Sequence, residues 1–418
     1  MLSILKGHIV ETKTFGQLTV TENGYLVLEN GVIQGVFPVL PACYEGVPVT
    51  DYGDRLILQA FSDMHLHAPQ FPMLGMGMDL PLLDWLTAYT YPVEAAFADA
   101  ELARTIYRQL VRTLVDNGTT RVCIFSSVHR EATLALMEEL EKAGVSGYAG
   151  KVNMDRNSSP LVEETTEESK RETLRWLDEC AGFTKVKPIL TPRFTPTCTN
   201  ELMAWLGDLA RERGLYVQSH LSENKAEMEW VKRLHPDCAQ YWESYAKYGL
   251  FNDHTVMAHC VHSDEREQLA MRDHGVFVAH CPDSNINICS GFSPIMDMVE
   301  RGLQVGLGSD IAGGAHLPMN QVMQAAIRTS KTRRINSVWE QPFLKVSEAY
   351  YLATSAGAAY FGDKPGFGAG NRLHAIVADD SRFPMVRSLT VQERFERLIY
   401  MAKPTDYIAV YGAGEKIK

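Results

Sequence analysis

This chain of 418 residues lacks several signatures, and each gap narrows what it can do. No apolar run approaches the roughly 20 residues needed to cross a bilayer. With 45% hydrophobic and 22% charged residues the composition sits near the globular average, so a soluble protein with a sizeable core is expected and a membrane partner is not. The N-terminus, MLSILKGHIVETKTFG, has neither the apolar stretch nor the small-residue cleavage site of a secretory signal, and it reads as a strand. Lys/Arg clusters are missing too, and 40 basic against 51 acidic residues leave a net charge of −11. A phosphate backbone finds little attraction in such a surface, which disfavours a nucleic-acid partner. The eight cysteines form no CxxC pair, and a chain this long needs no covalent staples, so reduced thiols in a cytoplasmic protein are expected.

What is there has two rhythms. Residues 1–58 carry short alternating apolar segments broken by Asn23-Gly24 and Asn30-Gly31, which supply the positive φ of tight hairpin turns. Then short apolar runs alternate with longer amphipathic stretches, several of which end at a glycine, such as Ala100 to Asn117, Glu131 to Ala143 and Glu201 to Arg213. Eight runs begin near Leu56, Thr119, Ser146, Val186, Leu215, Thr255, Gly275 and Gln304. Eight strand–helix alternations predict an α/β fold, a closed (β/α)₈ TIM-type barrel. An open doubly wound sheet competes, but GxGxxG after the first strand is missing. RLHAIVADD and DYIAVYGAG near the C-terminus read as strands again and are expected to rejoin the N-terminal unit. The expected organisation is a barrel over 59–368 and a small discontinuous β-sandwich domain from 1–58 and 369–418.

The polar residues fall at informative places. His65, His67, Arg193, His220, His259, His280 and Asp310 all lie at the C-terminal ends of predicted strands, the face of a parallel barrel where active sites are built. Side chains at i and i+2 share one side of a strand, so His65 and His67 both look into the mouth while Leu66 faces the helices. The same alternation sends Cys260 and Cys281 toward the helical layer. Imidazoles from separate strands with one carboxylate suit zinc, with iron as the alternative, whereas calcium and magnesium prefer all-oxygen shells. We take His65, His67, His220 and Asp310 as the ligands of one ion, which would lower the pKa of water toward about 7 in favourable cases.

An HxH pair alone is more often two strand-end histidines bonded to neighbours; the further His, His, His and Asp at strand ends reverse that judgement. Glu223, three residues past His220, has the reach of a general acid/base over the metal-bound water, although an exposed loop is the commoner fate of a glutamate. His259 is open between a fifth ligand and a group bonded to that water, and the second is preferred. His280 has a weaker claim, since HCPDSN can serve to shape its loop. Barrels of this architecture that hold two metals carry a bridging lysine at the end of the fourth strand, but here that end reads PRF, so one ion is expected. A different zinc signature, HxE with a later PCxxC, is represented only by HRE at His129, read as a helix start.

These residues resemble the metal-dependent amidohydrolases and, among them, the guanine deaminase family. The likeness covers most of the barrel: HLHAPQ from His65, MGMDLPLLDWLTAYTYPVEAAF from Met76, RFTPTC from Arg193, SHLSEN from Ser219, VMAHCVH from Val256, AHCPDSN from Ala279 and GLGSDIAGG from Gly306. HxH and the strand-eight Asp occur across the amidohydrolases, while HAPQ, DLPLL and RF followed by SHxSEN are diagnostic together. The resemblance implies zinc on His65, His67, His220 and Asp310, purine contacts from Gln70, Arg193, Phe194 and His220, and proton transfer by Glu223 and Asp310 with His259 close by. It also implies a homodimer. One departure, His374 where the family commonly has an acidic residue, lies outside the catalytic segments.

The implied reaction is hydrolysis of guanine to xanthine and ammonia. Guanine's C2 bears the amine between two ring nitrogens, so attack by water needs one proton for the ring nitrogen and another for the departing amine; Glu223 suits the first and Asp310 the second. The Gln70 amide offers donor and acceptor, and Arg193 donates to O6. A 6-amino purine would leave Arg193 facing a donor, at a cost of about 1–3 kcal/mol or more. Bland alternatives are a cap for Gln70, a salt bridge for Arg193 and ordinary core for Phe194. Trp85 is open between a lid over the mouth and a surface helix. The rival readings are another amidohydrolase acting on 8-oxoguanine, a triazine or a related amidine, and a scaffold that has lost catalysis; the latter conflicts with the retention of every ligand and of Glu223.

Overall fold

The computed structural model describes residues 1–336 and 342–418. Eight parallel strands, Phe61–His67, Thr119–Phe125, Ser146–Gly150, Val186–Pro192, Tyr216–Leu221, Thr255–His259, Phe277–His280 and Gln304–Leu307, pair in chain order into a barrel. Helices such as Ala100–Asp116, Arg130–Ala143 and Asn200–Arg213 wrap it, and the last two end at Gly144 and Gly214 in the left-handed conformation (φ 75° and 62°). The large core lies between strands and helices, while Met64, Cys123, Tyr148, Ile189, Val256, Ala258, Phe277 and Ala279 fill the barrel's interior beneath the mouth.

The seam between the first and eighth strands is closed largely by polar contacts. Asp310 N donates to His65 O at 2.8 Å, His67 N to Ile311 O at 3.2 Å, and Ser309 N to the Asp63 carboxylate at 2.9 Å. A Cβ on Gly308 would lie 2.9 Å from that of His65, so glycine permits the approach. Burial pushes the Asp63 carboxyl up to about 7 against the hydrogen bonds from Ser309 and His65.

The second sheet has seven strands in the order Glu415–Lys416, Tyr407–Gly412, Ala375–Ala378, Val49–Gln59, Leu2–Thr14, Gln17–Glu29 and Val32–Phe37, so both ends of the chain share it. It curls over its own core: Ile33 N donates to Asn371 O at 2.8 Å and Leu373 N to Gly31 O at 2.9 Å, around Leu5, Ile9, Leu26, Ile57, Leu373 and Val377. Asn30-Gly31 makes the expected turn, with φ of 50° and 76°. Asn23-Gly24 does not; Asn23, at φ 49°, lies inside a long strand, beside a register shift opposite Gly7 and Ile9. The left-handed residue there makes a bulge rather than a turn. The run beginning at Leu56 is also two strands, because Leu56–Gln59 pairs in the small sheet and Phe61 starts the barrel. No turn residue separates them, so the apolar run reads as one. Among the described residues no helix is long and apolar enough to cross a membrane.

Candidate active site

Four side chains converge at the barrel mouth. A register shift between Asp63 and Leu66 lets Met64 fill the interior while His65 and His67 stand above it, and Leu66 packs outward as expected. On the fifth strand Gln218 and His220 point inward while Val217 and Leu221 join the outer core, so His220 follows plain alternation. The ligand nitrogens of His65, His67 and His220 lie within 4.8 Å of one another. Asp310 Oδ1 is 3.3 Å from His65 Nε2 and 3.7 Å from His67 Nε2.

The state of these groups suits a cation. His220 Nδ1 lies 2.6 Å from the Arg193 carbonyl and donates to it, which leaves Nε2 as a bare lone pair, 3.2 Å from His67 Nε2. Burial, then the neighbouring His65, holds the His67 and His220 imidazoles well below the ordinary histidine range and therefore neutral. Burial works against the Asp310 charge, but the adjacent His65 and His259 rings outweigh it and keep its carboxyl below the usual range. His65 Nε2 is buried with no hydrogen-bond partner. Lone pairs that face each other beside a carboxylate fit a metal ion of imidazole preference.

His259 arrives differently. It is the last residue of the sixth strand, and φ of 72° there and 49° at Cys260 break the alternation. The turn aims Nε2 at Glu223 Oε2 (3.6 Å) and Asp310 Oδ2 (3.8 Å), while Nδ1 lies 2.9 Å from Asn285 Oδ1. Burial lowers its pKa to about 4. Glu223 is buried, with Oε1 unpartnered, and burial followed by the Glu227 and Asp310 carboxylates raises its pKa well above that of an ordinary glutamate. His280 stands with both ring nitrogens unpartnered, and burial lowers its pKa to about 3.

Opposite this floor stands a second group. Gln70, in the short helical turn Ala68–Met73, and Arg193, just past the fourth strand, line the same cleft as His67, His220, Glu223, His259 and Asp310. Phe194 lines it too, its ring 6.4 Å from His220 and 6.2 Å from Trp230. Trp85 closes the cleft beside Leu82 and Leu86, with its indole N–H on Met76 O at 2.9 Å, so it belongs to the mouth rather than to a surface helix.

Sequence reasoning missed Glu94. It is 1% exposed, yet its carboxylate accepts from Gln70 Nε2 at 3.0 Å and from Arg193 Nη1 at 2.5 Å. The available signal was chemical: a buried guanidinium needs a counter-charge, and Glu94 lies within the segment from Met76 already singled out. Asn285, which orients His259, was also missed. Cys281 corrects an expectation. Its sulfur lies within 4.8 Å of the His65 and His259 nitrogens rather than among the helices, because Ala279 faces the interior and Cys281 repeats that side two residues on. Cys260 does face the helices, against Met271 Sδ at 3.7 Å. A further donor cluster, His235, Asp237 and Cys238, holds the Lys247 ammonium at 3.1 Å from His235 Nδ1 and 2.9 Å from Asp237.

Comparison with known proteins agrees with this geometry. The profile of the amidohydrolase family matches residues 56–370. A guanine deaminase of Dictyostelium discoideum is 35% identical over all of this chain and 98% of its own length, and that of Homo sapiens is 32% identical over all of this chain and 93% of its own. Among solved structures, a guanine deaminase from C. acetobutylicum with guanine bound in its active site superposes with a TM-score of 0.97 at 39% identity, covering both chains completely. Barrel, converging donors and full-length likeness agree: the chain belongs to the amidohydrolase family and, within it, to the guanine deaminases.

Proposed function

We propose that this chain hydrolyses guanine to xanthine and ammonia on one zinc ion held by His65, His67, His220 and Asp310, with Glu223 as the proton carrier. The observation that carries the reading is a single cleft in which His67, His220, His259 and the Asp310 carboxylate share the lining with the Gln70 amide, the Arg193 guanidinium and Glu223, one of whose oxygens is unpartnered. Zinc bound there would supply Lewis-acid activation of water. The chain's own groups do the rest.

Arg193 donates to the purine O6, and Gln70 offers an N–H and a carbonyl oxygen to the same ring. Glu223, made a stronger base by burial, takes a proton from the attacking water in its carboxylate form and, now the acid, returns it to the ring nitrogen beside C2. Asp310 passes the second proton to the amine, which leaves as ammonia. His259, fixed by Asn285 and aimed between Glu223 and Asp310, holds the attacking water by a hydrogen bond. Leu82, Trp85 and Leu86 close the cleft and exclude bulk water.

The reading extends to a cytoplasmic homodimer. All eight cysteines are free thiols, as a reducing compartment requires, and the dimer rests on resemblance alone, for sedimentation to test. A UV assay on guanine, 8-oxoguanine, adenine and cytosine, paired with elemental analysis of the protein, tests the activity. Guanine is expected to turn over fastest, with one zinc per chain; zinc-loaded protein that makes no xanthine would end the claim.

A further inference from the structure

One helical segment backs the wall of the cleft. Residues Leu82–Trp85 and Tyr91–Ala95 are α-helical, with a π turn at Leu86–Thr90 between them. Leu82, Leu86, Thr90 and Glu94, each four residues from the last, are all buried. Leu82 and Leu86 line the cleft, and Tyr91 sets its ring 5.5 Å from the Arg193 guanidinium carbon. Glu94, at the inner end, is the group that touches both of the purine-facing polar side chains.

The two ends of a glutamine amide have nearly the same shape, so hydrogen bonds alone decide which end is nitrogen. A carboxylate only accepts, hence Glu94 Oε1 demands the NH₂ end of Gln70, and Ala312 N, donating at 3.3 Å, demands the oxygen end. One N–H and one lone pair of Gln70 then remain, in a fixed order, for the cleft. Glu94 also holds Arg193 in place. Its carboxylate accepts from Nη1 at 2.5 Å, which anchors a donor-only guanidinium where Arg193 lines the cleft.

We infer that Glu94 is a positioning residue that determines specificity: it fixes the donor–acceptor order of Gln70 and the position of the Arg193 donors, and so selects a purine that carries an oxygen rather than an amine at C6. The inference rests on the purine lying in this cleft as proposed above. Its sharpest probe is 2,6-diaminopurine, which has guanine's reactive C2 amine and differs from guanine at C6, where an amine replaces the oxygen and N1 has no proton.

The test compares kcat/KM for guanine and 2,6-diaminopurine in wild type, Glu94→Gln, Arg193→Gln and the double variant, with zinc content measured in each. In Glu94→Gln zinc stays at the wild-type level, KM for guanine rises by about tenfold or more, and the preference for guanine falls by a similar factor. A merely structural role would slow both substrates alike and leave the preference unchanged, which would overturn the assignment. The double variant buries no unpaired charge and serves if Glu94→Gln fails to fold. Its preference should be no higher than that of Arg193→Gln alone, any further drop being the part that Glu94 exerts through Gln70; a preference restored toward wild type would overturn the assignment. If Arg193→Gln by itself leaves guanine KM and the preference intact, the purine placement fails, and this assignment fails with it.

Discussion

The floor and the wall of the cleft are built by opposite means. The floor is a set of neutral imidazoles on barrel strands, with their lone pairs turned toward one another and a single carboxylate among them. The wall is a buried ion pair with an amide attached, carried on a turn, a loop and a helical segment outside the barrel. A rigid strand end holds a ligand in place through the backbone ladder. A wall made from loops needs a side chain to lock it, and Glu94 is that lock. The difference teaches that metal affinity and substrate selection in this molecule should fail separately.

The largest effect should come from breaking the floor. His220→Ala is expected to remove zinc and turnover together, since it takes away one ligand and the contact that holds Arg193 O; elemental analysis showing normal zinc would separate His220 from the metal. Next, Glu223→Gln keeps the floor and removes the proton carrier, so zinc content should stay normal while kcat falls by about 10²-fold or more. Near-normal turnover would deny Glu223 that role.

Breaking the wall should cost less chemistry and more binding. Arg193→Ala is expected to raise KM for guanine by about tenfold or more with zinc retained, and to destabilise the fold by about 3–5 kcal/mol in denaturant melts because it leaves the Glu94 carboxylate buried and unpaired. Loss of zinc would mean that wall and floor are one unit.

Acid should act on the floor first, and gently near neutrality. Burial holds His259 near 4 and His280 near 3, whereas both titrate near 6.5 when unfolded. Below about 6.5 the unfolded chain therefore binds more protons, and stability declines as pH falls toward 4 and levels off below about 3. By pH 5 the loss should be about 1–2 kcal/mol per imidazole. Urea melts of the wild type and His280→Asn at pH 7 and pH 5 check this, and an unchanged pH dependence in the variant would show that His280 is not buried as a neutral ring.

How much of this was legible in the chain varies with the element. The strand positions were, because a buried parallel strand is an apolar run bounded by polar residues, and each expected run proved to contain one. So was the gathering of His65, His67 and His220, since alternation along a strand is a local rule. The split at Ala60 was not, because both strands it joins are buried and no turn residue marks the change of sheet. Asn23-Gly24 had the composition of a turn but sits opposite Gly7 in a bulge, which depends on a partner strand.

The sequence by itself determined which donor side chains stand at strand ends and the order of strands, because residue type and a period of two are local properties. Only the tertiary structure decided which way His259 and Asp310 point, since left-handed backbone at φ 72° and 48° overrides alternation there. It alone brought Glu94 to Gln70, 24 residues away, and to Arg193, 99 residues away. A buried charge finds its partner through the folded chain, and no local pattern records where that partner lies.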